Sequence, residues 1–453
     1  MLTFGVQQFR CFHRPRAVRL GKITLLVGEN SSGKTSFLAA LRASIAVLKM
    51  EEPDFNEDPF NLGAYDQIAH HRGRTKAKEF SFEFIQDAPI ELRERGEILF
   101  PKKRRPFSHL RAKLTFVKKN AQPSLSVVSI TCGSVSITLW LDNKERLAAV
   151  RTPTRTYSAP KTNTDEFASF RMGGGNLQLL YYFFERIILS SEFEKKPAQQ
   201  DKEKIAEIQF VRTIFNDAIA LIARYNLEIA APIRTKPKRT YDPKSERPDP
   251  EGGYIPYLLA RLKAEKSENW AKLKDGLAKF GAAAGLFEDV DIKRKGISDS
   301  DPFQVLIKQI GQSSNLIDVG YGVSQILPVL AEIILGSNEA IHLIQQPEVH
   351  LHPRAQAEFA SFLKDSFSSS NSYCVVETHS DFIVDRIRSH IAAGELKPDD
   401  VSLVFFERKE KQVELYQIDL DENGNVNSAP RGYRNFFQKE VFRNLGIENV
   451  PHS

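Results

Sequence analysis

The octet Gly28-Glu29-Asn30-Ser31-Ser32-Gly33-Lys34-Thr35 constrains this chain more than any other stretch, because it fits G-x-x-x-x-G-K-[ST] in the context that pattern needs. Ile23-Thr24-Leu25-Leu26-Val27 before it is a short, apolar, partly β-branched run, the composition of a buried strand. Ser36 to Leu48 after it has the apolar recurrence of a packed helix. Gly28 and Gly33 let the backbone wrap tightly, so the amides of Asn30, Ser31, Ser32 and Gly33, and those of the helix start from Lys34 to Ser36, face phosphates. Lys34 then neutralises the β- and γ-phosphates, and the Thr35 hydroxyl ligates Mg²⁺. The bland alternative is a Gly/Ser-rich turn that opens a helix. The strand before it and the helix after it favour a nucleoside triphosphate site.

At 453 residues, 41% hydrophobic and 26% charged, the chain has room for two or three domains or one large domain with insertions. Lys and Arg outnumber Asp and Glu by 63 to 57, and a net charge of +6 permits nucleic-acid contact without arguing for it. Three dispersed cysteines, Cys11, Cys132 and Cys374, form no C-x-x-C pair, which suits a reducing cytosol. The N-terminus enters strand-like sequence with no signal-peptide core. The most apolar helical run, Ile326 to Leu335, contains Pro328 and Glu332 and is too short to span a bilayer. These features predict a cytoplasmic protein without membrane contact.

Three segments follow from the pattern. Residues 1–160 read as two short strands, the phosphate loop, its helix and an antiparallel meander from about Phe80 to Val150. Lys102-Lys103-Arg104-Arg105 lies in a connection of that meander and reads as a solvated loop. Residues 161–300 read as a helical insertion: Leu177 to Leu189 after Gly173-Gly174-Gly175, a charged tract from Lys195 to Lys204, then Ile205 to Tyr225. A basic, Pro-rich segment around Ala231-Pro232-Ile233-Arg234 follows, either an anion or partner clamp or a plain connection, and then an amphipathic helix over 254–285. Residues 301–453 alternate strand and helix, which signals a mostly parallel α/β sheet. Strands are expected at Phe303 to Ile307, Asn315 to Val319, Ile341 to Ile344, Tyr373 to Glu377, Val401 to Phe406 and Gln412 to Ile418.

Three segments of this last part add to the phosphate loop. Asp318 to Pro328 is a glycine-rich turn opening a helix, with Gly322, Ser324 and Gln325 near its start; alone it reads equally as a helix capped by Ser324. Ile341-His342-Leu343-Ile344-Gln345-Gln346-Pro347-Glu348 is an apolar strand ending in polar residues, where P-loop ATPases place an acid beside Mg²⁺. Cys374-Val375-Val376-Glu377-Thr378-His379-Ser380 is another such strand, and ligands bind at this end of parallel strands.

Together these segments resemble the ABC-type ATPase heads of the OLD, RecF and SMC class, over residues 1–50 and about 300–407. The resemblance implies a P-loop head with an antiparallel β subdomain and a helical insertion, and ATP and Mg²⁺ as cofactors. It makes Gly322, Ser324 and Gln325 the signature turn that completes the ATP site of an opposite subunit, and so implies a homodimer or higher homo-oligomer. It makes His379 the switch histidine near the γ-phosphate and Gln67 a candidate Q-loop glutamine that links Mg²⁺ to the neighbouring lobe, with an ordinary loop amide as the alternative. Gln346-Pro347-Glu348-Val349-His350-Leu351-His352-Pro353 and Glu377-Thr378-His379-Ser380-Asp381 are similar to segments of OLD-like ATPases, and Ala429-Pro430-Arg431-Gly432-Tyr433 to their tail. Many such AAA family ATPases are encoded in prokaryotic anti-phage systems beside a nuclease. The stretch from 407 to 453 is too short for a fused topoisomerase-primase-type nuclease, so the resemblance implies a separate effector.

Heads of that class carry Asp or Glu where this chain has Gln345, and often Glu where it has Gln346. An amide can hold a metal-bound or attacking water but cannot take a proton near neutral pH. Glu348, two residues on, is the compensating carboxylate. Gln346, Glu348 and His379 are thus the candidate catalytic residues, and Thr35, Gln345 and Gln67 the candidate metal ligands. His350 and His352 have no third ligand at a supporting spacing and read as packed or helix-capping.

Three functions fit: an ATPase that oligomerises and gates an effector, a nucleotide-locked scaffold, and a repair or recombination ATPase acting directly on DNA. A transporter ATPase is disfavoured by the insertion pattern. The paired amides predict slow turnover: steady-state hydrolysis well below about 10 s⁻¹, falling further in Glu348→Gln. Fast turnover that survives this substitution contradicts the prediction.

Overall fold

A computed structural model describes residues 2–49, 54–72, 75–88, 91, 93–94, 108–133, 135–141, 147–151, 156–158, 209–210, 213–214, 216–218, 220, 223–243, 247–298, 300–409, 412–430 and 432–433. The expected basic loop at 102–105, the helix at 177–189 and the charged tract at 195–204 lie outside them; of the expected helix at 205–225, the described residues from 209 to 223 are helical.

The chain begins with β1 (Leu2–Gln7), β2 (Arg16–Leu20) and β3 (Ile23–Gly28), three strands where two were expected, then α1 (Lys34–Leu48). The short helix α2 (Tyr65–Ile68) and a two-residue hairpin, β4 (His71–Arg72) and β5 (Thr75–Lys76), follow. The meander is β6 (Glu79–Asp87), β7 (His109–Lys119), β8 (Gln122–Cys132), β9 (Val135–Leu141), β10 (Leu147–Arg151) and β11 (Thr156–Ser158). With β1 and β2 it makes an eight-stranded sheet in the order β11-β10-β9-β8-β7-β6-β1-β2.

After β12 (Asn226–Ala230), the expected helix over 254–285 is two, α3 (Ile255–Ala264) and α4 (Glu268–Ala284). The break follows from Lys266, at φ 49°, and from Ser267, whose side chain accepts the Trp270 N–H and caps the second helix. A small sheet of β13 (Asp289–Arg294), β14 (Phe303–Gln309) and β15 (Gln312–Asn315) comes next. The strand expected to reach Val319 stops at Asn315, whose side chain accepts the Ile317 N–H and turns Leu316–Asp318 into a 3₁₀ helix. Then come α5 (Tyr321–Leu335), β16 (Ala340–Gln345), α6 (Pro353–Phe367), β17 (Tyr373–Glu377), α7 (Asp381–Ala392), β18 (Val401–Lys409), β19 (Gln412–Leu420) and β20 (Val426–Ser428).

A second large sheet runs β12-β16-β17-β3-β18-β19-β20, parallel from β12 through β18 and antiparallel beyond. Both its faces are buried, so its strands read as continuous apolar runs rather than alternating ones. One face (Leu26, Leu343, Val375, Val404, Phe406) packs with α1 and the eight-stranded sheet; the other (Leu25, Ile344, Val376, Leu403) packs on α3 to α7. The class is therefore α/β with an antiparallel β subdomain. No described helix is long and apolar enough to cross a membrane.

Aromatic rings join the first core, with Phe37 of α1 edge-on to Phe4 at 5.2 Å and to Phe406 at 5.8 Å. His342 lies in β16, 3% exposed, with its ring edge-on to Phe367. Burial pushes its imidazole down to about 4, so the folded chain holds it neutral. The depressed value means its contribution is present above pH 6.5 and is lost as pH falls through 4. His342→Leu should lose less stability than the wild type over that window, by on the order of 3 kcal/mol, read from denaturant midpoints at each pH.

Candidate nucleotide-binding site

The phosphate loop is built from residues that tolerate unusual backbone angles. Gly28 has φ 140°, and a Cβ there would lie 2.4 Å from the Phe406 carbonyl oxygen of β18. Gly33 has φ 96°, and a Cβ there would lie 2.5 Å from Cys11 Sγ. Gly33 is also the N-cap of α1, with no side-chain cap and no acidic residue in the first turn. The leading N–H groups of α1 are thus left for a ligand, whereas Ser267, His352 and Ser380 cap α4, α6 and α7 with their own side chains. His352 is accordingly a helix cap, as its sequence context suggested. Lys34 is 2% exposed and donates from Nζ to the carbonyls of Gly28 (2.9 Å) and Glu29 (2.7 Å).

The parallel pairing of β17 with β3 sets Glu377 opposite Leu26, at the strand end beside α1. There Thr35 Oγ1 hydrogen-bonds both oxygens of the Glu377 carboxylate, at 3.0 and 2.9 Å. The next strand, β16, sets Gln345 opposite Glu377, and the Gln345 side chain hydrogen-bonds the same carboxylate. Burial raises the Glu377 carboxyl above its ordinary value, against the opposing pull of Thr35, Lys34 and Gln345. Burial likewise lowers Lys34, which Glu377, Glu348 and Glu29 oppose.

Glu348 had the strongest claim in sequence to be the site's carboxylate, but Glu377 is the one on Thr35. Glu348 instead accepts from Thr378 Oγ1 (2.9 Å) and from the His379 N–H (2.6 Å), and burial raises it too. Gln346, at φ 43°, donates its N–H to the Glu377 carbonyl at 2.8 Å and turns the chain into Pro347. The His379 imidazole is held below its ordinary value by partial burial and by the Lys34 ammonium.

Ser31, Ser32, Gly33, Lys34, Thr35, Ser36, Gln67 and Glu377 line one cavity of ≈ 750 Å³ together with Arg10, Cys11, His70 and His71. Gln67 enters it from α2, where its Oε1 accepts the Ala64 N–H at 2.9 Å. Asn30 is exposed beside the cavity without lining it. Arg10, His70 and His71 carried no signal in sequence, since no local pattern brings 10 and 70 together; the fold does so through the Arg10 N–H to Ile68 carbonyl bond and His70 Nδ1, 2.7 Å from the Arg10 carbonyl. Glu377 did carry one, as the last residue of a strand expected to end at the site.

Gly322, Ser324 and Gln325 lie apart from these residues. Ser324 lines a separate cavity of ≈ 680 Å³ with residues of the Pro-rich segment, Lys236 and Lys238 among them. It does not cap α5: the N-cap is Gly320, without a side-chain bond, and Ser324 Oγ donates to the Tyr321 carbonyl at 2.9 Å. At Gly322 a Cβ would meet the His350 carbonyl oxygen at 2.7 Å, so α5 packs against the turn after β16 only because this residue is glycine.

These residues fit a magnesium nucleotide. Ser32 Oγ and Gln345 Oε1 are buried without a hydrogen-bond partner, one in the loop and one behind the carboxylate. Lys34, the bare α1 N-terminus and Ser32 suit phosphate oxygens; Thr35, Glu377 and Gln345 suit a hard cation.

A protein-family model described as "AAA domain, putative AbiEii toxin, Type IV TA system" matches residues 23–385, from β3 through the start of α7. A second, "Protein of unknown function (DUF3696)", matches residues 396–440. No curated protein matches the chain. Among solved structures, the chain is similar to a SmcHead bound to the C-winged helix domain of ScpA, at 12% identity and TM-score 0.39, covering 93% of this chain and 98% of that one. It is similar to the SMC head domain from Thermotoga maritima at 9% identity and TM-score 0.36, covering 92% and 98%. A third is the Smc head domain with an extended coiled coil bound to the C-terminal domain of ScpA derived from Pyrococcus furiosus, at 10% and 0.39, covering 99% and 100%.

Glu377→Gln keeps the shape of the Thr35 partner and removes its charge. Titration with a fluorescent ATP analogue should give near wild-type affinity without metal, and a gain from Mg²⁺ that is smaller by about tenfold or more. An unchanged metal dependence would show that Glu377 is not at the cation.

Proposed function

The chain belongs to the AAA domain family whose model spans residues 23–385, and from that premise we propose that it is an ABC-type ATPase whose ATP sites are shared between subunits. It binds ATP and Mg²⁺, hydrolyses ATP slowly, and uses nucleotide-dependent self-association to gate a separate effector. The observation that carries this reading is the Thr35–Glu377 pair beside Lys34, which gathers a cation partner and a phosphate partner at one strand end.

In the site so read, Thr35 and Glu377 would hold a divalent cation, which would supply neutralising charge to the phosphate oxygens. Lys34 would exchange the Gly28 and Glu29 carbonyls for the β- and γ-phosphates, and the leading α1 amides would donate to phosphate oxygens. Glu377 orients the Thr35 hydroxyl, and Gln345 orients Glu377. Glu348, held by Thr378 and the His379 N–H, is the nearer base for a water at the strand ends. Gln346 and His379 position that water. Gln345 and Gln346 cannot accept a proton, which supports slow turnover.

The place of Ser324 supports composite sites. The α5 N-terminus, like that of α1, is glycine-capped and free of a side-chain acceptor, but Ser324 lines a different cavity from Lys34. That separation supports a reading in which the α5 that completes a phosphate site belongs to a second copy. The effector, a nuclease in this reading, and the setting of anti-phage defence rest on the similarity of 346–353 and 377–381 to OLD-like ATPases.

The two amides also favour a second reading, a scaffold that keeps ATP intact until triggered; the purified protein then carries ATP rather than ADP. Light scattering tests the leading one. ATP with Mg²⁺ should drive wild-type chain to a dimer or larger assembly, while Lys34→Ala and Ser324→Arg stay monomeric. A wild type that is monomeric with and without nucleotide rules it out.

A further inference from the structure

Arg234 belongs to the Pro-rich segment between β12 and α3, outside every motif the nucleotide site uses. Its side chain is a cation sealed in the interior, with 3% of the residue exposed. Its Nη2 donates to the Gln345 carbonyl at 3.1 Å, and its backbone N–H donates to Gln325 Oε1 at 3.3 Å. Its Nε and Nη1 are buried with no hydrogen-bond partner. A guanidinium held this way is costly, because a buried charge with unmet donors loses hydration that one carbonyl does not replace. An apolar side chain would connect the same elements at lower cost, so the charge itself calls for an explanation.

The contacts on either side supply one. Gln345 ends β16, and its side chain hydrogen-bonds Glu377, which accepts from Thr35 of the phosphate loop. Gln325 sits in the first turns of α5, itself buried, one residue beyond Ser324. Thr35, Glu377 and the Gln345 side chain, then the Gln345 carbonyl, the Arg234 guanidinium and the Arg234 backbone N–H to Gln325, join the phosphate loop to the signature end of α5 within one chain. A second close approach ties α5 to the turn after β16, where a Cβ at Gly322 would lie 2.7 Å from the His350 carbonyl oxygen. Glu348 and Glu332 both act on the Arg234 charge without bonding it.

We infer that Arg234 is a positioning residue that couples the state of the phosphate loop to the placement of the α5 N-terminus in the same chain. Its biological consequence rests on the composite-site reading: a chain whose own loop is filled presents Ser324 to its partner differently from one whose loop is not. The device would work through the two donors that the present arrangement leaves unmet, Nε and Nη1. When Thr35 and Glu377 turn to a cation, Gln345 loses its present partner and the end of β16 re-pairs. The unpaired Nε and Nη1 would then turn to a nearby carboxylate, Glu332 or Glu348, and the backbone N–H of Arg234 would carry Gln325 with it. Lysine keeps the charge but lacks the fork that reaches two partners at once.

The test compares full-length wild type, Arg234→Lys and Arg234→Ala by hydrogen exchange, at a concentration where every sample scatters as a monomer. Nucleotide occupancy is matched with a fluorescent ATP analogue. Magnesium ATP should change the exchange of amides 321–327 by at least about threefold in the wild type. Arg234→Lys should bind nucleotide within about twofold of wild type and leave those amides unchanged. Arg234→Lys also guards against an Arg234→Ala chain that does not fold. An α5 response in Arg234→Lys equal to the wild type at equal occupancy overturns the inference, as does the absence of a response in the wild type. Light scattering at higher concentration separates this from the composite-site reading. An α5 that responds through Arg234 in a chain that never self-associates upholds the coupling and removes the shared site.

Discussion

Everything at the nucleotide site depends on one strand adjacency, β17 beside β3. Parallel neighbours lie about 4.8 Å apart, so the register that sets Glu377 opposite Leu26 brings its carboxylate to the first turn of α1. The same adjacency sets β16 one strand further out, with Gln345 behind Glu377 rather than at Thr35. A one-residue slip would send Glu377 to the opposite face and put Val376, now in the helical core, at the hydroxyl. The apolar burial of both faces holds that register, so the core and the site share one constraint.

This explains what could be read from the sequence and what could not. The phosphate loop was legible because its chemistry is local: Gly28, Gly33, Lys34 and Thr35 lie within eight residues, and their strand and helix lie next to them. The parallel sheet was legible because both-sided burial leaves apolar runs that end in polar residues. The identity of the carboxylate was not. Glu348 and Glu377 both end such runs, and only the strand order β16-β17-β3 decides which one reaches Thr35. The strand count before the loop and the break at Lys266 were missed for a related reason, since single turn residues with positive φ leave little trace in periodicity. Arg10, His70 and His71 meet through a loop contact that no spacing rule anticipates.

The two glycine-capped helices pose a problem that the fold answers asymmetrically. At α1 the bare N-terminus faces the cavity that holds Lys34, so the chain itself supplies the partner for an incoming phosphate. At α5 no lysine stands in the helix's first turn as Lys34 does in α1: the lysines that share Ser324's cavity, Lys236 and Lys238, come from the Pro-rich segment, and Arg239 is paired with Asp318. One chain thus carries two glycine-capped helix starts in two different cavities, only one of them with a motif lysine.

Between them stands a deliberately expensive interior. Lys34, Arg234, Gln325, Gln345 and Glu377 are all 5% exposed or less, a density of polar groups that a core tolerates only when each has a partner. Most do, but Ser32, Arg234 and Gln345 keep buried atoms unpaired. Such atoms weaken the state that leaves them unmet relative to any state that satisfies them. Ser32 lies where a phosphate would go, Gln345 beside the carboxylate a cation would claim, and Arg234 between that strand end and α5. These three unmet groups lie along the path from one helix N-terminus to the other, and on the proposed coupling a ligand at the loop would relieve a cost that extends to α5. On the proposed reading such a device would need binding rather than fast hydrolysis, which suits a strand end, β16, that carries Gln345 and Gln346 in place of acids.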